Sequence, residues 1–406
     1  MALRKKRRGD IFLIIILILV CIYVSACSYD NGGSITSLSG QQASEAADTS
    51  RYLIVVDDEP DTVDFQCTSI YYVVALNVFD RMVEMQTTED GDVKAVPALA
   101  ESWEVSGDGL VYTFHLRRGV TFSNGSELTA SDVQYTFTRL LNHPDSCNQD
   151  LVMEIEGAAR LANGETDCLE GFKVLSDTDF SITLAQPFEA FLACLSMSGG
   201  SILDQETTEA AGDRFGIDPA CTIGTGPFVL DSWEAGKGML LSANPTCWEG
   251  LPGCAGIDMR FITDGEEERQ LFENGKMDIL DLDELGMSAE YFMNGNAYRD
   301  QLCEARQICI TYIALNESVK PLNDVRVRKA MQLALDRQML LDAVYSGRGE
   351  VENGIFPVGL KGHNPDLPEI PYDPEGAAAL LAEAGFPKGL TWSSAFDPPQ
   401  NNRKKS

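Results

Sequence analysis

An α/β fold is predicted for this chain from three successions of elements. Tyr52-Leu53-Ile54-Val55-Val56 is a short apolar, β-branched run that reads as a buried strand; the acidic Asp57-Asp58-Glu59-Pro60 follows, then Val74, Val78, Arg81 and Met82 at helical spacing across residues 71–83. Between residues 101 and 141 a hairpin pattern runs into a helix pattern, and two more helix patterns occupy residues 324–345 and 375–384. Strand and helix signals alternate along the chain, which is the pattern of mixed layers rather than of an all-α or all-β domain.

The hairpin is written in two period-2 runs. Trp103 and Val105 alternate up to Ser106-Gly107-Asp108-Gly109, and Leu110, Tyr112, Phe114 and Leu116 alternate away from it. Arg118-Gly119 turns the chain again into Val120 and Phe122. Thr129 with Asp132 three residues on resembles a capping box, and Val133, Phe137, Leu140 and Leu141 continue at helix spacing. Residues 324–345 carry Val327, Ala330, Met331, Ala334, Leu335, Leu340 and Val344, which predicts one long amphipathic helix closed by Gly347. Asp373-Pro374 supplies an N-cap and an N1 proline for residues 375–384, and Gly385 stands where a left-handed residue ends a helix. No fixed-period repeat occurs, which argues against solenoids and propellers.

The first 27 residues set the compartment. Arg4, Lys5, Lys6, Arg7 and Arg8 precede an apolar run over residues 11–24, and Val24-Ser25-Ala26-Cys27 matches the bacterial lipobox, in which the cysteine becomes the lipidated first residue. The alternative is an uncleaved transmembrane anchor, but 14 apolar residues fall short of the about 20 that a span needs. Residues 28–51 are polar, rich in Ser and Gly and without an apolar period. They read as a flexible tether with a mean reach of about 25–30 Å. The two or three acyl chains of a bacterial lipoprotein would hold Cys27 in a membrane stably.

Charge narrows the partners. Residues 1–26 account for five of the 31 basic residues and, through Asp10, one of the 62 acidic ones, so the remainder has 26 against 61 and a net charge of −35. Nucleic acid is excluded as a partner, since phosphate binding needs a basic footprint. Of the 11 cysteines, nine lie beyond Cys21 and Cys27. No C-x-x-C occurs and the three histidines, His115, His143 and His363, are scattered, so zinc-site spacings are absent and no metal is expected. Close pairs such as Cys247 with Cys254 or Cys303 with Cys309 fit disulfides in an oxidising compartment, or buried free thiols acting as small hydrophobes; the sequence leaves both open. Catalytic signatures are missing: there is no G-x-S-x-G, no P-loop, no H-E-x-x-H and no G-x-G-x-x-G opening a helix. Asp278, Asp281 and Asp283 miss the calcium-loop spacing and read as a solvated edge. No catalytic residue and no cofactor is assigned.

Three blocks together carry a resemblance. Pro97-Ala98-Leu99-Ala100-Glu101-Ser102-Trp103 runs through Asp108-Gly109-Leu110-Val111-Tyr112-Thr113-Phe114-His115-Leu116-Arg117 to Leu128-Thr129-Ala130-Ser131-Asp132-Val133. Gly224-Thr225-Gly226-Pro227-Phe228 follows, with Trp233, Asn244-Pro245 and Trp248 beyond it. Leu315-Asn316, Pro321-Leu322-Asn323-Asp324-Val325-Arg326-Val327-Arg328-Lys329-Ala330, Ala334-Leu335-Asp336-Arg337 and Tyr372-Asp373-Pro374 complete the set, up to Leu381-Ala382-Glu383-Ala384-Gly385. In this order they resemble the family 5 extracellular solute-binding proteins, the peptide- and nickel-binding receptors of ABC importers. Each block taken alone is a fold marker: a hairpin with a capped helix, a turn into a strand, and arginines facing solvent or a partner lobe.

The resemblance implies a two-lobed type II periplasmic-binding-protein fold with an inserted extra domain. Residues 52–80 and 201–307 would form the first lobe, 81–200 the insertion and 308–406 the second lobe. A peptide would be captured in the cleft and passed to an ABC permease and ATPase by a monomeric, membrane-anchored, extracytoplasmic receptor that breaks no bond. Thr68, Ser69 and Tyr71 fall in the loop where relatives line the cleft and are the candidate ligand-binding residues. A nickel or haem receptor, a peptide-sensing lipoprotein and a non-functional remnant are the alternatives. The scarcity of histidine weighs against a metal ligand. In the family the second lobe continues well past the Ala382-Glu383-Ala384-Gly385 block, and the acidic partner of the peptide's α-amino group lies there. Here Leu390-Thr391-Trp392 opens an expected strand and the sequence closes at Arg403-Lys404-Lys405-Ser406. The second lobe is therefore expected to be incomplete, as an early stop, a frameshift, a fragment or a naturally short variant would leave it, with apolar sheet edges exposed.

Overall fold

The computed structural model describes residues 2–3, 50–69, 71–87, 93–282, 292, 297–303, 309–345, 347–358 and 362–390. Cys27, the tether up to residue 49, Asp283 and the strand expected at residues 391–392 lie outside the described residues. The chain divides into two units, Met1–Gln307 and Ile308–Ser406.

In the first unit, strand β1 (Tyr52–Asp57) leads through a long loop into helix α1 (Val73–Val78). The helix is shorter than the spacing of Val74, Val78, Arg81 and Met82 predicts. The carbonyls that would continue it are taken by distant partners: Gly226 N donates to Val78 O at 2.9 Å, Ile202 N to Asp80 O at 2.9 Å and Leu99 N to Arg81 O at 3.1 Å. Buried backbone groups must be satisfied somewhere, and here tertiary contacts outcompete the next helical turn. The chain then forms the hairpin β2 (Val83–Thr87) and β3 (Val93–Pro97), followed by β4 (Ala100–Val105) and β5 (Val111–Leu116), helix α2 (Ala130–Asn142), and β6 (Phe172–Val174) with β7 (Asp179–Thr183).

Strands β4 to β7 make an antiparallel sheet in the order β4-β5-β7-β6. Tyr112, Phe114 and Leu116 of β5 are buried as their alternation predicts, whereas Trp103 on edge strand β4 is half-buried and Val105 is exposed. Phe114 faces Phe180 across the ladder, their rings stack at 5.2 Å, and Phe180 stacks on Phe172 at 4.8 Å. Phe137 of α2 meets Phe172 edge-on at 6.2 Å, so the helix packs its apolar stripe on the face of the sheet. Gly109 takes φ +72° in the β4–β5 turn, a conformation that favours glycine.

Asp132 holds the start of α2. Its Oδ2 accepts from Thr129 N at 2.9 Å and Thr129 Oγ1 at 2.7 Å, and its Oδ1 accepts from Gln205 N at 3.0 Å. Thr129→Ala should cost about 1 kcal/mol of stability and Asp132→Ala about 2 kcal/mol, since the second change also strands Gln205 N; chemical denaturation measures both.

The chain returns through β8 (Phe228–Glu234), β9 (Gly238–Ala243) and β10 (Gly256–Phe261), which assemble with β1 in the order β1-β10-β9-β8. Only the β1–β10 pair is parallel, with Leu53 beside Ile257 and Val55 beside Met259. Leu53, Phe65, Phe79, Leu230, Leu241 and Met259 form a second core distinct from that around Phe114. Asp278 does not lie on a solvated edge. It is buried, pairs with Arg51 and accepts from Ile54 N at 3.0 Å, so it fastens the entry of the chain into β1. Its immediate neighbours Met277 and Ile279 are apolar, and the long-range partners Arg51 and Ile54 N make the burial tolerable.

In the second unit the predicted long helix is two, α3 (Val325–Ala334) and α4 (Arg337–Tyr345). Leu335 is extended (ψ 113°), and the Asp336 carboxylate accepts from Met339 N at 2.9 Å, which caps a new helix start. No residue of α4 is fully buried: Leu341 is half-buried, and Met339 and Val344 are exposed. Helix α5 (Pro374–Glu383) begins as expected: Asp373 accepts from Gly376 N at 2.8 Å, Pro374 sits at N1, and Gly385 takes φ +95° beyond the end. Arg326 does not simply face solvent. It bonds Asp324 and donates from Nη1 to Glu383 O at 2.8 Å, clamping α3 to the end of α5.

Candidate functional site

The loop between β1 and α1 is held at Glu59, Thr62, Val63, Asp64 and Gln66. Glu59 accepts from Trp233 Nε1 at 3.1 Å and from Gly236 N at 3.0 Å. Thr62 Oγ1 and Val63 N both donate to Gly216 O, at 3.1 and 2.9 Å. Asp64 accepts from Arg139 of α2 at 2.6 Å, while the same guanidinium donates to Gln66 Oε1 at 2.5 Å and stands over the Phe215 ring. The Gln66 amide donates to Thr136 O at 3.0 Å. The loop therefore bridges its own core and α2.

Thr68, Ser69 and Tyr71 lie on this framework but differ in what they offer. Thr68 is buried; its hydroxyl accepts from Tyr71 N at 3.4 Å, and its carbonyl accepts from Asn148 Nδ2 at 2.9 Å with Tyr72 Oη 2.8 Å away. Ser69 is exposed and Tyr71 half-buried. The hydroxyl of Thr68 thus sets the turn, and of the three candidates Ser69 and Tyr71 are the ones that reach the surface. Asn148 is the residue that sequence reasoning missed. Its amide donates to both Phe65 O and Thr68 O, and its Oδ1 lies 3.1 Å from Tyr72 Oη. No local pattern around Asn148 signals that role, because its partners are some 80 residues away.

The chemistry available here is hydrogen bonding rather than bond making. Burial and then the Asp64 charge push the Cys67 thiol up to about 12, so it is neutral at physiological pH and a poor nucleophile. Burial likewise raises Tyr72. At the end of β1, burial lifts the Asp57 carboxyl to about 6; the Asp58 and Asp281 charges add to this, and the Asp58 N–H, donating at 2.8 Å, offsets part of it. The folded state then holds this proton to higher pH than the unfolded chain does. Stability from this group is present at acid pH and is lost as pH rises from about 4 to about 6. Asp57→Asn, which keeps the Oδ1 acceptor, should raise Tm at pH 7 by about 2–4 °C and leave it unchanged at pH 4, as thermal melts at the two pH values will read.

Among the described residues the nine cysteines other than Cys21 and Cys27 are free thiols; Cys254 is buried as a small hydrophobe would be, whereas Cys247 is half-buried and Cys303 and Cys309 are exposed, so for those three neither reading of the sequence describes the structure. A shallow depression of about 460 Å³ is lined by Asn124, Ser126, Asp204, Thr207 and Arg214 among others. Thr68, Ser69 and Tyr71 do not line it, and its Asp204 carboxylate is already engaged by Ser126 and by Thr207 N at 2.6 Å. No described helix is long and apolar enough to cross a membrane.

With this frame in place, the comparisons with known proteins converge. The model of the bacterial extracellular solute-binding proteins, family 5, matches residues 94–405, and the chain belongs to that family. The chain is 31% identical over 331 residues to heme-binding protein A of Haemophilus influenzae, a match covering 79% of this chain and 58% of that protein. It is 29% identical over 358 residues to the dipeptide-binding protein of Escherichia coli, covering 83% and 64%. The crystal structure of a periplasmic oligopeptide-binding protein from Borrelia burgdorferi superposes with a TM-score of 0.69 at 24% identity, over 84% of this chain and 68% of that one. The fold is that of type II periplasmic binding proteins. The chain spans about three fifths of the length of the first two relatives.

Proposed function

We propose that this chain is the capture component of an ABC importer for peptides: a monomeric lipoprotein tethered through Cys27 to the extracytoplasmic face of the cell membrane, delivering its ligand to a permease and ATPase without breaking a bond. The observation that carries this reading is the family match over residues 94–405, together with the likeness to a dipeptide-binding protein. The loop chemistry agrees with it, since the Cys67 thiol is held protonated and the exposed Ser69 and half-buried Tyr71 carry hydrogen-bonding hydroxyls. We read residues 52–80 and 201–307 as the first lobe, 81–200 as an insertion and 308–406 as the second lobe. The separate cores around Phe79 and Phe114 support the division of the first two.

Calorimetric titration with defined dipeptides and tetrapeptides tests the reading. Ser69→Ala should weaken peptide binding by one ligand hydrogen bond, about 0.5–1.5 kcal/mol, or about two- to twelvefold. Tyr71→Ala should do at least as much, and unchanged affinity in both variants removes the loop from the site. The 31% identity to a heme-binding protein favours haem as the second reading. Saturable haem binding without peptide binding would move the assignment there.

A further inference from the structure

Three side chains meet where the β1–α1 loop packs on the end of α2. Cys67 Sγ lies 3.3 Å from Asp64 Oδ2 and 3.3 Å from His143 Nδ1, and the three donor atoms all fall within 4.8 Å of one another. We propose that Asp64, Cys67 and His143 form a binding site for a borderline-soft divalent cation of the zinc class.

The spacing fits a shared ion. A tetrahedral zinc with Zn–S about 2.3 Å and Zn–N about 2.0–2.1 Å holds its sulfur and nitrogen donors about 3.5 Å apart, close to the separations seen. Asp145 N donates to His143 Nδ1 at 3.3 Å, so Nδ1 is the unprotonated nitrogen, the form that ligates, and an arriving ion takes its lone pair from that long hydrogen bond. The carboxylate is fixed in place: Arg139 donates to Oδ2, the oxygen next to Cys67, at 2.6 Å and to Oδ1 at 3.3 Å, and Gln66 N donates to Oδ1 at 3.1 Å. Such outer hydrogen bonds fix ligands around metals. Asp64 is buried while Cys67 and His143 are half-buried, so a preformed site keeps a path for the ion.

The guanidinium also decides the class of ion. Its charge weakens purely electrostatic attraction for any cation at Asp64, which removes the advantage of calcium or magnesium, whose binding rests on carboxylate oxygens. Binding must come from sulfur and imidazole, and those select zinc and its neighbours. The step is a simple exchange: the Cys67 S–H bond breaks, a proton leaves to solvent, and a metal–sulfur bond forms. Each ion bound in this way releases the thiol's proton. The separation of residue 67 from residue 143 explains why cysteine and histidine spacing in the sequence gives no metal signal.

Cobalt(II) titrated into the purified full chain, in detergent if lipidated, tests the site, cobalt serving as the visible stand-in for zinc. We expect one equivalent with a thiolate-to-metal charge-transfer band and four-coordinate visible bands. Cys67→Ser should abolish the charge-transfer band, His143→Gln should weaken binding at least tenfold, and the distant exposed Cys168→Ser should leave the spectrum intact. X-ray absorption of the zinc-loaded wild type, which needs no variant, should show one sulfur near 2.3 Å and imidazole nitrogen near 2.0 Å. A cobalt spectrum without the thiolate band, a band that survives Cys67→Ser, or a zinc shell with no sulfur or with two would overturn the proposal.

Discussion

Replacing Asp64 with alanine is expected to destabilise the first unit by about 3–5 kcal/mol, the usual cost of leaving one member of a buried ion pair without its partner. The side chains of Asp64 and Arg139 are only 6% and 13% exposed, so solvent screens the stranded guanidinium weakly. Gln66 N loses an acceptor as well. The midpoint of denaturant unfolding should fall accordingly, and the double change Asp64→Ala with Arg139→Met should recover much of the loss, because it removes the orphaned charge along with its partner. If the single and double variants lose stability additively, the pair does not interact as its geometry requires. The same contact joins the β1–α1 loop to α2, so the destabilised variant should also bind peptide less tightly through a looser loop.

The second large effect is expected at Gly224. A Cβ there would stand 2.0 Å from Val78 O and 2.8 Å from its carbonyl carbon, and at Gly226 it would meet the same peptide unit at 2.8 Å. These neighbours are backbone, and they cannot give cheaply because Gly226 N bonds Val78 O while Thr225 Oγ1 and Trp248 Nε1 both donate to Asp80 Oδ2, at 2.7 and 2.8 Å. Gly224→Ala should therefore cost about 3 kcal/mol or more, at or above the upper end of overpacking changes. Thr225→Ala, which removes one hydrogen bond to a carboxyl that burial already pushes toward its protonated form, should cost about 1–2 kcal/mol. Denaturation midpoints that rank the two variants in the opposite order would show that close approach is not why glycine stands at this turn.

Much of this was legible in the sequence wherever the cause is local. The alternation of Tyr112, Phe114 and Leu116, the Thr129/Asp132 cap, and the Asp373-Pro374 start with Gly385 beyond its end each depend on residues a few positions apart, and each is found as read. The family resemblance was likewise readable from motif order. What failed was set by partners far along the chain or by a cap hidden inside a periodic run. Helix α1 stops early because Gly226 and Ile202 claim its next carbonyls, and the helix over 324–345 breaks because Asp336 caps a second start. Asp278 looked like one of a row of surface acids until Arg51 and Ile54 N appeared beside it. The candidate loop shows the same limit: Thr68, Ser69 and Tyr71 are candidates through the family resemblance alone, and Asn148 and Arg139, which hold that loop, carry no signal in the sequence.

The most direct test of peptide capture is a thermal melt of the purified chain with and without a mixed peptide digest, followed by tryptophan fluorescence. A ligand that binds only the native state must raise Tm in proportion to the logarithm of its concentration once above its Kd. We predict a cooperative transition that moves upward with peptide and not with free amino acids at the same mass concentration. A cooperative transition that stays fixed across the whole range of digest would contradict peptide capture by this chain.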